Sequence, residues 1–287
     1  MKHTSIHVPV AGLGTLHLEK QALVSGLKRG FRCIDGAKAY PKNEDMIGEA
    51  ICESGVDPNT ITVITKVYNP NVVSRKALRD AVTDSVRKLR KTVDFALFHA
   101  PYPEMPLVSL IEELENLQKE GQIIHWGTSN FSQEHLEFML NLESPHITNN
   151  FKPALNQVEY HPYFQRSDLR DFCQQHGIVL QAYRPLAEGK VLSDPVLVSL
   201  GAKYKVDVAQ IVYAWLAQQG IAIVTKVSSD AHQQEYADAA KLSLTDEDMN
   251  LIGSLNRGEA GRTCTKGGWF VEFTPNVKNH WVSKSCL

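Results

Sequence analysis

Short apolar runs alternate with longer segments of helical period along most of this 287-residue chain. That alternation is the pattern of βα units, in which each strand of a parallel sheet is followed by a helix that covers it. The runs read as strands are 31–35, 61–65, 93–98, 123–127, 154–158, 178–183 and 221–224, with an eighth expected near 240–244. Amphipathic segments lie between them at 43–54, 74–89, 107–120, 132–140, 167–176, 194–204 with 208–219, and 230–240. Ser74, Ser132, Ser167 and Asp230 stand where N-caps belong, and Gly121, Gly177 and Gly220 where helices should stop.

No Pro-, Gly- or Ser-rich linker interrupts the series, so residues 1–287 read as one domain, a closed (β/α)8 TIM barrel of the α/β class. An open doubly wound sheet is the competitor. It calls for a Gly-rich turn after the first strand, yet 31–35 is followed by Gly36-Ala37-Lys38-Ala39-Tyr40, and Gly12-Leu13-Gly14 lacks the third glycine of a dinucleotide fingerprint. On the barrel reading the N-terminal segment caps the bottom, and the tail from Arg257 onward folds over the opposite, active-site mouth.

Composition removes several classes of function. The chain is 43% apolar and 22% charged with a formal charge of -2; it has no apolar stretch of the roughly 20 residues a membrane span needs, and no basic stripe for nucleic acid. Cys33, Cys52, Cys173, Cys264 and Cys286 are odd in number and lack metal-ligand spacing, so reduced thiols, no metal and a cytoplasmic setting are expected. The end, Ser285-Cys286-Leu287, only partly matches a Ser-Lys-Leu peroxisomal address. Nothing calls for assembly, so a monomer is expected.

The chemistry gathers at strand ends. Asp35, Lys66, His99, Ser129, Asn130, Gln157, Tyr183 and Lys226 each end or follow a strand, and in a βα barrel all those ends share one rim, where active sites are built. Taken singly, each reads more readily as a strand terminator or a helix cap; it is their convergence that points to a site. Asp35 and Lys66 end adjacent strands, and Tyr40 follows five residues after Asp35. A phenol of ordinary pKa ~10 becomes a useful acid if a nearby ammonium lowers it. His99 can hydrogen-bond a substrate oxygen or relay a proton; its alternative is a satisfied core histidine.

The string from Phe31 to Tyr40, with Asn43-Glu44 through Ile51, closely resembles the first signature of the aldo-keto reductase family. The likeness continues through Thr65-Lys66, Phe98-His99-Ala100-Pro101, Gly127 to Phe131, Asn156 to Tyr163 and Ala182-Tyr183-Arg184-Pro185-Leu186, over roughly residues 8–256. The resemblance implies a catalytic tetrad of Asp35, Tyr40, Lys66 and His99, with NADPH/NADP+ extended across the barrel mouth. It implies that Ser129, Asn130 and Gln157 hold the carboxamide, that Tyr183 stacks on the nicotinamide, and that Gly14 and Thr15 lie beside the ribose. Leu186 belongs to the same cofactor-lining string.

Departures from the family pattern carry expectations of their own. Lys226 is kept at the phosphate clamp, but Val227 replaces a serine and His232 an arginine. An imidazole is a weaker phosphate partner than a guanidinium, so NADPH should be preferred through Lys226, Ser228 and Ser229 with reduced discrimination over NADH. Glu235 and Tyr236 fall where adenine is contacted, Tyr236 by stacking. Arg184 replaces a serine and reaches either the pyrophosphate or a surface carboxylate. Ala100 replaces an aromatic and should widen the substrate site, whose mouth Trp269, Phe270, Phe273 and Trp281 would line unless they bury the tail against the barrel. The activity implied is reduction of small-molecule aldehydes or ketones by hydride transfer; the alternative is a slow nucleotide-binding or regulatory protein on the same barrel.

Overall fold

The computed structural model describes residues 6–142, 151–264 and 281. Eight parallel strands close on themselves in chain order: β1 (Ala11–Gly14), β2 (Cys33–Asp35), β3 (Thr62–Val67), β4 (Val93–Phe98), β5 (Ile123–Ser129), β6 (Leu155–Glu159), β7 (Val179–Tyr183) and β8 (Ala222–Thr225). The ring is sealed by β1, which pairs Leu13 with Ile34 of β2 on one side and Gly12 with Val224 of β8 on the other.

That seal keeps the expected count of eight but corrects which segment supplies the eighth strand. The N-terminal segment gives a barrel strand and only its first residues act as a bottom cap, with Ile6 and Val8 packing on the inner apolar cluster of Cys33, Ile64, Phe95, Leu97 and Leu155. Residues 240–244 are a turn and loop. The strand Ala-Gly-Leu-Gly carries no β-branched or aromatic residue, which hides it from pattern reading. Its smallness is required: a Cβ on Gly12 would lie 2.9 Å from Val224 Cγ1 and 3.0 Å from Cys33 Sγ.

Among the described residues the α-helices are α1 (Lys20–Arg29), α2 (Asn43–Ser54), α3 (Arg75–Leu89), α4 (Leu107–Lys119), α5 (Gln133–Leu140), α6 (Ser167–Gln175), α7 (Pro195–Tyr204), α8 (Val208–Gln218), α9 (Asp230–Ala239) and α10 (Asp246–Gly253). Ser74 and Ser132 cap α3 and α5, accepting from the amides of Ala77 and His135. Ser167 and Asp230 are instead the first residues of their helices; Arg166 occupies the N-cap of α6, and the Ser229 hydroxyl caps α9. Gly121, Gly177 and Gly220 all have positive φ, between 63° and 76°, the conformation that stops a helix at least cost on glycine.

Strand alternation sorts the side chains. Ile34, Val63, Ala96 and Val158 point outward to the helices and join the large cluster around Leu27, Ile47 and Leu110, while their neighbours Cys33, Ile64, Leu97 and Leu155 fill the barrel's lower interior. Two residues further along each strand, on that same inner face, come Asp35, Lys66, His99 and Gln157. The barrel is thus apolar below and polar at its C-terminal rim because each inward series changes chemistry at its last member.

Candidate active site

Asp35 and Lys66 are almost wholly out of water, at 5% and 1% exposure. Burial of two charges is tolerated only with close pairing and further hydrogen bonds. Lys66 Nζ donates to Asp35 Oδ1 at 2.6 Å and to the Gly36 carbonyl at 2.9 Å. The same carboxylate oxygen accepts from Gln157 Nε2 at 2.7 Å, and that amide also donates to Gln181 Oε1 at 2.8 Å.

Tyr40 follows β2 in the loop to α2, its ring edge-on to His99 with centroids 5.9 Å apart. Lys66 Nζ lies 5.8 Å from the Tyr40 ring centre, and no hydrogen bond joins the ammonium to the phenol. The expected lowering of the phenol's pKa is therefore not what the structure has: burial, then the Asp35 charge, push Tyr40 upward from its ordinary value, against a smaller opposite pull from Arg184. Lys66 acts on Asp35 and forms with it a pair of little net charge. Burial, then Lys66, hold His99 well below the usual imidazole range, so its ring is neutral.

These side chains open into a cleft of about 620 Å³ at the strand C-termini, whose wall includes Asp35, Tyr40, His99, Ser129, Asn130 and Gln157. Tyr183, Arg184, Leu186 and Lys226 also line it, with Gly14 and Thr15 of the β1 region. The three polar residues expected at the carboxamide are bonded into the rim. Asn130, at φ 64°, donates to the His99 carbonyl at 2.9 Å and to Ser129 Oγ at 3.3 Å, and accepts from the Tyr183 hydroxyl at 2.7 Å. Ser129 Oγ donates to the Gln157 carbonyl at 2.9 Å.

Other expected residues lie elsewhere. Ala100 is fully buried and is not among the described residues of the cleft wall. Tyr236 is 1% exposed, packed between Phe31 and Tyr213, and its hydroxyl accepts from the Gly12 amide at 3.0 Å and donates to the Ile223 carbonyl at 3.0 Å. The adenine stacking expected of it is ruled out by that position; the ring braces the β1–β8 seam. Ser228 and His232 are exposed beside the start of α9, Ser229 caps that helix, and half-buried Glu235 sits on it, all outside the cleft wall. Trp269, Phe270 and Phe273 lie outside the described residues. Trp281 is buried against Phe131, His135 and Phe138 of the β5–α5 region and donates to the Tyr102 carbonyl at 3.1 Å.

Several residues with no role in the sequence reading hold the rim together. Asn43 accepts from the Ala37 amide at 3.2 Å and donates to Thr15 Oγ1 at 3.0 Å, which ties the Tyr40 loop to the β1 side of the cleft. Glu159, fully buried at the end of β6, accepts from His161, from Thr263 through both amide and hydroxyl, and from the Cys264 amide at 3.0 Å. Those bonds place Cys264 on the cleft wall. Gln181 could have been found, since it lies two residues before Tyr183 on the inward face. His17, on the cleft wall at φ 55°, shows no sequence signal of its place.

A closed βα barrel whose rim joins a buried carboxylate–ammonium pair, a phenol and a neutral imidazole is a barrel enzyme with acid–base equipment. The sequence model of the Aldo/keto reductase family matches residues 17–257, and the chain belongs to that family. It is 34% identical to the glyoxal reductase of Bacillus subtilis, over 90% of this chain and 92% of that one. Methylglyoxal reductase DkgB of Yersinia pestis is 31% identical over 88% of this chain and 94% of its own. Among solved structures, an aldo-keto reductase from a Medee basin deep-sea metagenome library superposes with a TM-score of 0.81 at 29% identity, covering 88% of this chain and 93% of that one. The chain is accordingly an oxidoreductase of a family that uses nicotinamide cofactors and acts on small-molecule carbonyls. No helix among the described residues is long and apolar enough to cross a membrane.

Proposed function

We propose that this chain reduces small aldehydes and ketones to alcohols with NADPH, with Tyr40 as proton donor and Asp35, Lys66 and His99 in support. The observation that carries the reading is one cleft of about 620 Å³ whose wall brings Asp35, Tyr40 and His99 together with Ser129, Gln157 and Tyr183, and with Arg184 and Lys226 as cations. Amides and an aromatic face suit a planar carboxamide-bearing ring, and guanidinium and ammonium groups suit phosphates. The donor set thus fits a reduced nicotinamide dinucleotide, with Gly14, Thr15 and Leu186 as further walls.

Reduced nicotinamide, when bound, supplies the hydride to the carbonyl carbon. The Tyr40 hydroxyl supplies the proton to the oxygen. A phenol of raised pKa still serves, because an alkoxide forming on that oxygen is a far stronger base than a phenolate. Neutral His99 orients the carbonyl oxygen by a hydrogen bond without competing as a charge. The Lys66–Asp35 pair fixes the rim and, with Gln157 on the same oxygen, keeps the carboxylate from turning toward the substrate.

Lys226, with Ser228 and Ser229, would favour NADPH over NADH, and His232 in place of a guanidinium would weaken that preference. The names of the relatives point to glyoxal and methylglyoxal as first substrates to try. We place the protein in the cytoplasm as a monomer; the free thiols of Cys33, Cys52, Cys173 and Cys264 suit a reducing compartment. The test follows loss of reduced-nicotinamide absorbance with an aldehyde panel including both dicarbonyls. Turnover with NADPH supports the reading; fluorescence quenching by NADPH without turnover of any aldehyde contradicts it and supports a binding protein.

A further inference from the structure

The loop from β7 to α7 places three non-glycine residues in the left-handed region: Arg184 at φ 52°, Ala187 at 49° and Glu188 at 57°. Side chains with a Cβ avoid that region unless the surroundings hold them there, and such strain gathers at ligand clamps. Here it turns Arg184 and Glu188 toward each other on the cleft wall, with Arg184 Nη1 2.9 Å from Glu188 Oε1 and 3.5 Å from Thr263 Oγ1. Their side chains are 35% and 50% exposed.

Among the described residues that line the cleft, the carboxylates are Asp35 and Glu188. Asp35 is neutralised by Lys66. Glu188 is therefore the other negative charge of the described cleft wall, and it occupies the Arg184 guanidinium an incoming polyanion would use. An ion pair this exposed is screened and weak. A guanidinium bound to phosphate oxygens in two-pronged fashion is stronger, and a half-exposed carboxylate returns to water easily.

We propose that Glu188 is a displaceable counter-charge: Arg184 leaves it for the phosphates of the entering nucleotide and returns to it on release, so the pair sets how tightly nucleotide is held. This rests on the reading of the cleft as a nucleotide site, and it makes Glu188 a determinant of affinity that opposes binding. Fluorescence titration with NADPH of the wild type, Glu188→Gln, Arg184→Met and the double variant tests it. Glu188→Gln should tighten NADPH by about twofold to fivefold, Arg184→Met should weaken it, and in the Arg184→Met background Glu188→Gln should change little. No tightening in Glu188→Gln, or equal tightening in both backgrounds, overturns the exchange while leaving the nucleotide site standing. Absence of NADPH binding to the wild type overturns the nucleotide reading and the exchange together.

Discussion

Gln157 and Asp35, 122 positions apart in the chain, meet through a 2.7 Å hydrogen bond from amide Nε2 to carboxylate Oδ1. Lys66 Nζ holds the same oxygen at 2.6 Å. Asp35 of β2 is thus held from the neighbouring β3 and from β6 across the barrel, and the ammonium's hydrogen bonds go to a carboxylate and a carbonyl rather than to the phenol.

Removing one partner of this pair should cost far more than its net worth, because a lone buried charge remains. Lys66→Met is expected to lose about 3–5 kcal/mol of stability in urea unfolding. The double variant Asp35→Asn with Lys66→Met should recover part of that loss. A single-variant loss below about 1 kcal/mol, the range of an exposed pair, would show that the pair is not buried as described.

The direction of the Tyr40 shift sets a pH dependence. Burial and Asp35 raise the phenol above its ordinary value of 10.0, so the protonated, donating form extends to higher pH than for a free tyrosine. Carbonyl reduction should therefore show no loss from Tyr40 ionisation between about pH 6 and about pH 10, while alcohol oxidation, which needs the phenolate, should climb with pH. A fall in the reduction rate with a midpoint below about pH 9 would contradict this.

Glu159 makes a second prediction in pH, on stability. Its hydrogen bonds outweigh burial, the largest single influence and one that raises the pKa, and they bring the carboxyl down from 4.5 to about 2. With the folded value below the unfolded one, the stabilisation is full above 4.5 and is lost as pH falls from there through about 2. At neutral pH it amounts to about 3 kcal/mol. Glu159→Gln should be less stable than wild type by an amount that holds from neutral pH down to about pH 5 and shrinks as pH falls below that; a gap independent of pH down to about pH 3 would remove this carboxylate as the cause.

His232 is exposed in the first turn of α9, next to the Ser229 cap. His232→Arg should tighten NADPH by roughly fivefold to tenfold and leave NADH nearly unchanged, because only NADPH offers the extra phosphate. Paired titrations with the two nucleotides check this. Equal changes for both would take residue 232 out of the phosphate site.

Much of the barrel was legible in the sequence because strands with branched and aromatic residues announce themselves. Val93 to Phe98 is found at its true ends, and Ser74 and Ser132 cap the helices they were assigned to. β1 was not legible, since its two glycines serve close packing and leave no apolar alternation to read. The inner-face residues Asp35, Lys66, His99 and Gln157 were visible as polar ends of apolar runs. What pattern could not supply is competition for a single atom. Nothing in the spacing of Lys66 and Tyr40 reveals that the ammonium's bonds go to Asp35 and Gly36. Tyr236 misled for a related reason: position on a helix does not say that its ring faces the seam of the barrel.

The central claim is that the Tyr40 hydroxyl delivers the proton in a cleft that otherwise binds nucleotide without it. Tyr40→Phe removes that hydroxyl, and its kcat for aldehyde reduction and its NADPH affinity by fluorescence titration can be measured on one preparation. The account predicts that kcat falls by about 10²- to 10⁴-fold while affinity stays within about twofold. A variant that keeps most of its turnover would contradict it.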